Sequence, residues 1–387
     1  MRIDELDTPC LLLDLDRVER NIARMAAFFD GRPARLRPHF KTPKTPEIAR
    51  RQLAAGAIGI TVAKLGEAEV LADAGLGPIL VANQVVGAPK LRRLVALLAR
   101  GVDITVAVES EANVRAIAEA AREAGVVAQA IVEVDSGMHR CGTTTPAETV
   151  ALARLLVECG IRYRGLMGYE GHAVLLPPEE RQGKAEAALG IVGEHVEALA
   201  EAGLAPEIVS VGGTGTYAIA GAWPGVTEVQ AGSYVFMDGR YQQVLPVEFE
   251  SALTLLTTVI AVHGEYAVCD AGAKSLTNEF GAPRSVDGRL TAARLSEEHA
   301  HLTGDGVGGL AVGDRVELLP SHGDTTLNLH DVYHVRRGDE IVEEWPILGA
   351  QVPLTRTNGA AGVHYRATDI ARGPGRMRCD SALGVAG

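Results

Sequence analysis

Residues 35–44 read RLRPHFKTPK. On an extended chain Arg35, Arg37, His39 and Lys41 fall on one side, and Leu36, Pro38 and Phe40 on the other. A strand face with three basic groups and an imidazole is a poor buried surface unless something anionic or polar sits against it. The turn that follows decides the fold. A doubly wound nucleotide-binding sheet needs a glycine-rich phosphate loop after its first strand, and FKTPK is not one. A lysine at the C-terminal end of a first strand suits a closed barrel, where strand ends line the active site.

The rest of the N-terminal half agrees. Eight apolar runs follow one another: RLRPHF (35–40), IGITVA (58–63), PILVAN (78–83), DITVAV (103–108), AQAIVEVD (128–135), YRGLMGYEG (163–171), EIVSVGG (207–213) and TEVQAGSYVF (227–236). Stretches of helical period lie between most of them. One helix is predicted over 15–29 and another over 110–125, with Ser110 as N-cap and Gly125 as its stop. Near-continuous apolar strands alternating with helices mean a parallel sheet covered on both faces. Eight such units predict a (β/α)8 TIM barrel over residues 16–244. After residue 245 the helical period is lost. SALTLLTTVIAVHGEYAVCDAG, RVELLPSHGD and DVYHVRRGDEIVEEWPI read as strands broken by Gly and Asp turns. A C-terminal all-β domain is therefore predicted over 245–350, joined by a strand from 6–15. The segment 351–387 has few large apolar residues and is predicted to be a loosely attached tail.

Composition narrows the function. The 387 residues include 47% hydrophobic but only 4% aromatic side chains, and the formal net charge is −12. Such a balance argues against a nucleic-acid surface. The five cysteines are scattered and odd in number, which suits a reduced cytoplasmic protein. The acidic MRIDELDTP start shows no signal peptide, and no apolar run reaches membrane-spanning length.

The eight runs end in Lys41, Lys64, Asn83, Glu109, Asp135 (with His139 and Arg140 close after), Tyr169 (with His172), the GGTG turn 212–215, and Ser233-Tyr234. These groups are expected to converge on one barrel mouth. A GGTG turn offers backbone N–H groups of the kind that cradle phosphate. A phosphate cup late in a barrel and a lysine on its first strand together suggest pyridoxal 5'-phosphate, whose aldehyde a lysine amine can hold.

The stretches DTPCLLLDLD, RPHFKTPKTPEIA, EVDSGMHRCG, VGGTGTY, TEVQAGSYVFMDG, CDAGAKS and PSHGDTTLNLHD, in that order over residues 6–348, resemble the fold-type III, alanine-racemase-like pyridoxal-phosphate enzymes. Within that class they are most similar to the D-threonine aldolase and D-serine dehydratase group. The resemblance implies that Lys41 is the Schiff-base lysine, that Arg140 binds the cofactor's phenolic oxygen and that Tyr169 contacts the cofactor. Gly213, Thr214, Gly232, Ser233 and Tyr234 would hold its phosphate. His322 and Asp324 of PSHGD, read as sharing one face of a strand, would be metal ligands. The dehydratase branch resembles His-x-Cys, a pair suited to zinc. Asp324 is a hard ligand that suits manganese or magnesium better, and so favours the aldolase branch. Two departures stand out. Pro43 replaces the family's usual His in KTHK, and Leu175 occupies the place of a candidate catalytic His, which leaves His172 as the candidate base. The implied activity is metal-dependent retro-aldol cleavage of a D-3-hydroxy amino acid to glycine and an aldehyde. Dehydration of such a substrate is the runner-up and racemisation the third reading. The class also implies a homodimer in which one subunit's β-domain closes the other's barrel mouth. A non-enzymatic cofactor-carrier barrel would lack the second domain.

Overall fold

The chain's first strand, β1 (Cys10–Asp14), leads directly into the helix Leu15–Phe29. The Asp14 side chain caps that helix, accepting from the Arg17 N–H at 3.0 Å. Each of the eight apolar runs then contributes a strand: β2 (Arg35–Leu36), β3 (Ile60–Val62), β4 (Ile79–Gln84), β5 (Ile104–Val108), β6 (Gln129–Val134), β7 (Arg162–Gly168), β8 (Ile208–Val211) and β9 (Glu228–Val229). The computed structural model describes residues 1–245 and 248–350, so the expected tail 351–387 lies outside the described residues.

The eight strands pair in parallel in the order β2-β9-β8-β7-β6-β5-β4-β3. The residues after β2 close the ring. Arg37 and His39 donate their N–H groups to Val229 and Ala231 on one side. On the other side Thr61 donates to the Pro38 carbonyl at 2.9 Å and Phe40 donates to the Thr61 carbonyl at 2.7 Å. Pro38 lacks only a donor toward β3, so this run bonds to both neighbours without regular ladder geometry. Between strands, the helix Glu111–Glu123 starts where Ser110 accepts from the Asn113 N–H at 3.3 Å, and Gly125 beyond it takes φ 66°.

Strand parity sorts the side chains. Ile60, Val62, Ile79, Val81, Ile104, Val106 and Val108 join the main core beneath the helices. Leu80, Ala107, Ile131, Met167 and Ile208 form a separate plug of alternate parity inside the ring. The basic face of the first run also points inward. Arg37 is buried there against Glu228, with Nη2 2.9 Å from Oε2. The eighth run does not stay extended to Phe236. Ser233–Val235 is a turn of 3-10 helix, because the chain must bend across the barrel top after Gly232. A β-carbon on Gly232 would lie 2.9 Å from the His39 carbonyl oxygen.

A second, nine-stranded sheet holds the C-terminal chain. Its long strand is β10 (Leu253–His263). β1 lies inside this sheet, antiparallel to β10 and parallel to the strand Val332–Arg337. The expected strand geometry of PSHGD is corrected. The strand Arg315–Leu319 stops before Pro320, which has no N–H for a ladder. His322 then takes the N-cap position of the short helix Gly323–Leu327, and Asp324 lies in that helix's first turn.

Candidate active site

A cavity of about 230 Å³ opens at the C-terminal ends of the barrel strands. Lys41 and His39 from the first run line it, with Asn83, Glu133, Arg140, Tyr169, Gly213, Thr214, Gly232, Ser233 and Tyr241. Asn83 and Glu133 lie at strand ends and the others on the segments that follow the strands, which is why residues scattered over two hundred positions meet in one place.

Lys41 sits at the floor of this mouth. Its amine is 3.2 Å from Asp324 Oδ2, so a β-domain carboxylate reaches the barrel lysine within one chain. The Asp324 charge raises the Lys41 amine above the ordinary lysine range despite burial. Burial alone would push Asp324 up. The Lys41 ammonium and the His322 ring outweigh it and hold the carboxyl below its usual range. His39 accepts the Lys41 backbone N–H on Nδ1 at 3.3 Å, which leaves the ring proton on Nε2. Burial and the Lys41 charge push His39 down to about 3, so it is neutral at working pH. The loop carrying Lys41 is held from three directions. The Tyr333 hydroxyl donates to the Pro43 carbonyl at 2.9 Å. Lys44 Nζ lies 3.4 Å from Glu67 Oε1, and the Gly349 N–H donates to the Lys44 carbonyl.

Opposite Lys41 is a set of backbone amides. Gly213 lies against Tyr169, where an added β-carbon would be 3.1 Å from Cε2. The Gly213 N–H donates to Thr216 Oγ1, and the Tyr234 N–H to Thr214 Oγ1. Among the described residues no protein acceptor reaches the N–H groups of Thr214, Gly232 or Ser233. Three uncommitted donors and a lysine lining one cavity suit the charge and the aldehyde of a phosphorylated aldehyde cofactor. Arg140 lies over the Tyr169 ring, Cζ 5.8 Å from its centroid, and faces Glu133 at 3.9 Å.

His322 and Asp324 also fit a cation. Asp324 Oδ1 is buried with no hydrogen-bond partner. The His322 Nδ1 is bonded to the Glu279 carboxylate, which leaves Nε2 available in the manner of a metal-binding histidine held by an outer carboxylate. Asp238, which the sequence reading quoted but assigned no role, fixes the turn between them. It caps the helix Gly239–Val244 by accepting from the Tyr241 N–H at 3.0 Å, and its other oxygen accepts the Gly323 N–H at 2.9 Å. Burial pushes this carboxyl up to about 6.

Not every sequence-predicted group enters the mouth. Lys64 is exposed at the N-cap of the helix Leu65–Asp73. The His139 side chain is 87% exposed and folds back on Asp135. Tyr234 presents only its backbone near the cup: its ring is buried in the barrel wall, where the hydroxyl accepts from Gln52 at 2.9 Å. His172 is exposed at the rim, and a β-carbon on Gly137 would lie 3.6 Å from its Cε1. The sequence reading gave no role to Tyr241, Asn83 or Glu279. Tyr241 lay two residues past the recognised motif, and no local pattern marks Glu279.

An eight-stranded parallel barrel with a lysine at its mouth, followed by an all-β sheet, is the architecture of the alanine-racemase-like class. Comparison with known proteins agrees. Residues 13–239 match the family "Alanine racemase, N-terminal domain", and residues 252–336 match a serine dehydratase domain model. The chain is 36% identical over 357 residues to 3-hydroxy-D-aspartate aldolase of Paracoccus denitrificans (strain Pd 1222), covering 89% of this chain and 92% of that protein. It is 38% identical over 351 residues to D-threonine aldolase of Arthrobacter sp., covering 88% and 92%. The crystal structure of D-threonine aldolase from Filomicrobium marinum superposes with a TM-score of 0.86 at 36% identity, over 90% of this chain and 96% of that one. D-threo-3-hydroxyaspartate dehydratase from Delftia sp. HT23 superposes at 0.82 with 34% identity, over 89% and 98%. The chain belongs to the fold-type III, alanine-racemase-like family of pyridoxal-phosphate enzymes, in its D-threonine aldolase and D-serine dehydratase group.

Proposed function

We propose that the protein is a lyase that cleaves a D-3-hydroxy amino acid to glycine and an aldehyde, with pyridoxal 5'-phosphate and a divalent cation. The observation that carries this reading is Asp324, a buried carboxylate with one oxygen on the Lys41 amine and the other unpartnered. It stands beside a histidine whose Nδ1 is held by Glu279, leaving Nε2 for a cation. A racemase has no use for such a pair.

When bound, the cofactor supplies an electron sink at the substrate's α-carbon, and the cation lowers the pKa of a bound hydroxyl. The chain's residues do the rest. Lys41 would hold the cofactor's aldehyde through its amine. Arg140 and Tyr169 would line its ring, and the amides of Thr214, Gly232 and Ser233, with Gly213 behind them, would hold its phosphate. Tyr234 contributes by shaping that loop through its bond to Thr214. His322 Nε2 and Asp324 would hold the cation, and two protein ligands would leave room for the substrate's 3-hydroxyl. One nitrogen and one hard carboxylate favour manganese or magnesium over zinc. His172 at the rim takes the hydroxyl proton. The Cα–Cβ bond then breaks, the aldehyde leaves, and the α-carbon is reprotonated to give glycine.

Dehydration begins from the same bound substrate, and the Delftia relative's name keeps it as the second reading. Product analysis with a panel of D-3-hydroxy amino acids separates the two. Glycine plus aldehyde is expected; ammonia plus a keto acid would replace the aldolase reading with the dehydratase one. A homodimer and a cytoplasmic location belong to the same proposal. Among the described residues Cys10, Cys141, Cys159 and Cys269 are free thiols, and no described helix is long and apolar enough to cross a membrane.

A further inference from the structure

A second cavity lies away from the barrel mouth. It measures about 530 Å³ and opens between the first two helices of the barrel layer, Leu15–Phe29 and Pro46–Ala54, where both of them end. Local sequence explains the space. Small residues face it, Ala26 and Ala27 on one helix and Ala55, Gly56 and Ala57 just past the other. The strand beneath them, β2, is only two residues long. β2 begins here, so this opening belongs to the N-terminal ends of the barrel strands. The mouth that holds Lys41, and the second subunit proposed to cover it, belong to the opposite ends.

Polarity is ordered along this cleft. Its walls are apolar, with Ile22, Phe29 and Leu36 all buried. At the inner end stand two buried polar side chains, Gln52 at 2% exposure and Tyr234 at 0%. Gln52 Nε2 donates to the Tyr234 hydroxyl at 2.9 Å. Among the described residues nothing donates to Gln52 Oε1, and nothing accepts the hydroxyl's own proton. Buried polar groups are normally paired, so one acceptor and one donor stand open together at the end of an apolar cleft. The rim is charged. Arg32 and Arg35 are exposed there with Asp30, and none of the three has an ion-pair partner among the described residues. Arg32 is partly committed, since its Nε donates to the Phe28 carbonyl at 2.6 Å. Arg35 is the open guanidinium. A ligand hydroxyl would satisfy both inner groups at once, accepting from the tyrosine and donating to the amide oxygen. A short apolar body suits the walls, and a carboxylate suits the guanidinium outside.

We propose that this cleft is a binding site for a small hydroxy-carboxylate. The ligand's hydroxyl points inward to Gln52 and Tyr234, and its carboxylate points outward to Arg35. The site is separate from the barrel mouth, and its ligand is not the substrate of the reaction there.

The test is calorimetry on the holoenzyme with three probes: 4-hydroxyphenylacetate, phenylacetate and tyramine. Phenylacetate lacks the hydroxyl, and tyramine carries an ammonium in place of the carboxylate. 4-Hydroxyphenylacetate is expected to bind roughly tenfold more tightly than either, the scale of one well-made polar contact. Two variants locate the binding. Ala26→Phe fills the cleft and should abolish it. Arg35→Gln removes the rim charge and should weaken 4-hydroxyphenylacetate by roughly tenfold, while tyramine binds no more weakly than before. Neither residue lines the mouth, so cofactor absorbance should stay at the parent level in both variants, which also checks their folding. Arg35 is exposed, so Arg35→Gln and the probe series decide the matter even if Ala26→Phe fails to fold. Absence of 4-hydroxyphenylacetate binding would overturn the proposal. So would phenylacetate or tyramine bound equally well by the unaltered protein. Affinity unchanged in the folded variants would place the probe elsewhere, and the assignment of this cleft would fall.

Discussion

Lys41 and Asp324 show how one ion pair can hold a site ready. Without cofactor, the lysine ammonium is the cation that Asp324 sees at 3.2 Å. Tied to an aldehyde, the Lys41 nitrogen would be a weaker base than the free amine and a poorer counter-charge, and a buried carboxylate short of a partner is costly. A divalent cation should therefore bind more weakly to cofactor-free protein than to holoenzyme, as read by calorimetry. Lys41→Ala should abolish the visible cofactor absorbance. Lys44→Ala should keep it, because Lys44 turns away to Glu67. Yellow colour surviving Lys41→Ala, with a borohydride-reducible linkage elsewhere, would move the assignment. Asp324→Ala, or chelation of the holoenzyme, should spare folding and absorbance but cost roughly a hundredfold or more in aldehyde release, since hydroxyl activation by a cation supplies several kcal/mol. Manganese or magnesium add-back should restore chelated enzyme better than zinc. Full activity after either treatment would remove the cation from the reaction. Glu170 offers a pH test. It is buried behind the glycine turn, accepting from Thr216 Oγ1 at 2.6 Å and from the Gly212 N–H at 3.2 Å. Burial raises its carboxyl, and these two donors only partly offset that. The folded chain thus holds the proton longer than the unfolded one. That stabilisation is complete below the ordinary glutamate range and is lost as pH rises through the raised value. Glu170→Gln should gain in melting temperature relative to the parent as pH increases; a parallel pair of curves would contradict this.

At the scale of elements, Asp238 ties the two sheets together. It follows the loop 232–237, caps the helix Gly239–Val244 and accepts the Gly323 N–H between His322 and Asp324. Its neighbour Gly239 donates to the Pro320 carbonyl at 2.8 Å. Asp238→Ala removes a cap, worth about 0.5–2 kcal/mol, and leaves the Gly323 amide without this acceptor. The expected result is a lower melting temperature together with weaker cation binding, the latter measured by manganese titration. Loss of stability with unchanged manganese affinity would show that Asp238 serves only as a cap. β1 makes a similar connection from the other end of the chain. It pairs inside the second sheet and feeds the first helix of the barrel layer, so the second sheet is assembled from both ends of the chain while the barrel strands run consecutively between them.

For the whole molecule, the site is built within one chain as far as Lys41, the amide cup and Asp324 are concerned. His172 and Phe280 nevertheless stand partly open to solvent. Carbanion chemistry needs water excluded, which favours a second subunit covering this mouth. Light scattering after size exclusion should give twice the chain mass, and a fully active monomer would count against a shared site.

The sequence by itself determined the barrel and the second sheet, and it pointed to the GGTG turn as the proposed phosphate cup. Period-two and helical patterning are local properties, and GGTG and PSHGD are short enough to be read without neighbours. Parity alone put Arg37, His39 and Lys41 on one face, but it could not say what that face met. Only the tertiary structure decided that Arg37 spends its charge on Glu228, that Lys41 meets Asp324, and that His322 and Asp324 flank a helix start rather than share a strand. It also turned the Tyr234 ring into the wall and brought Glu279 and Phe280 to His322. These outcomes depend on contacts between segments tens to hundreds of residues apart. Side chains there are placed by packing and by the pairing of buried charge, and no local pattern encodes either.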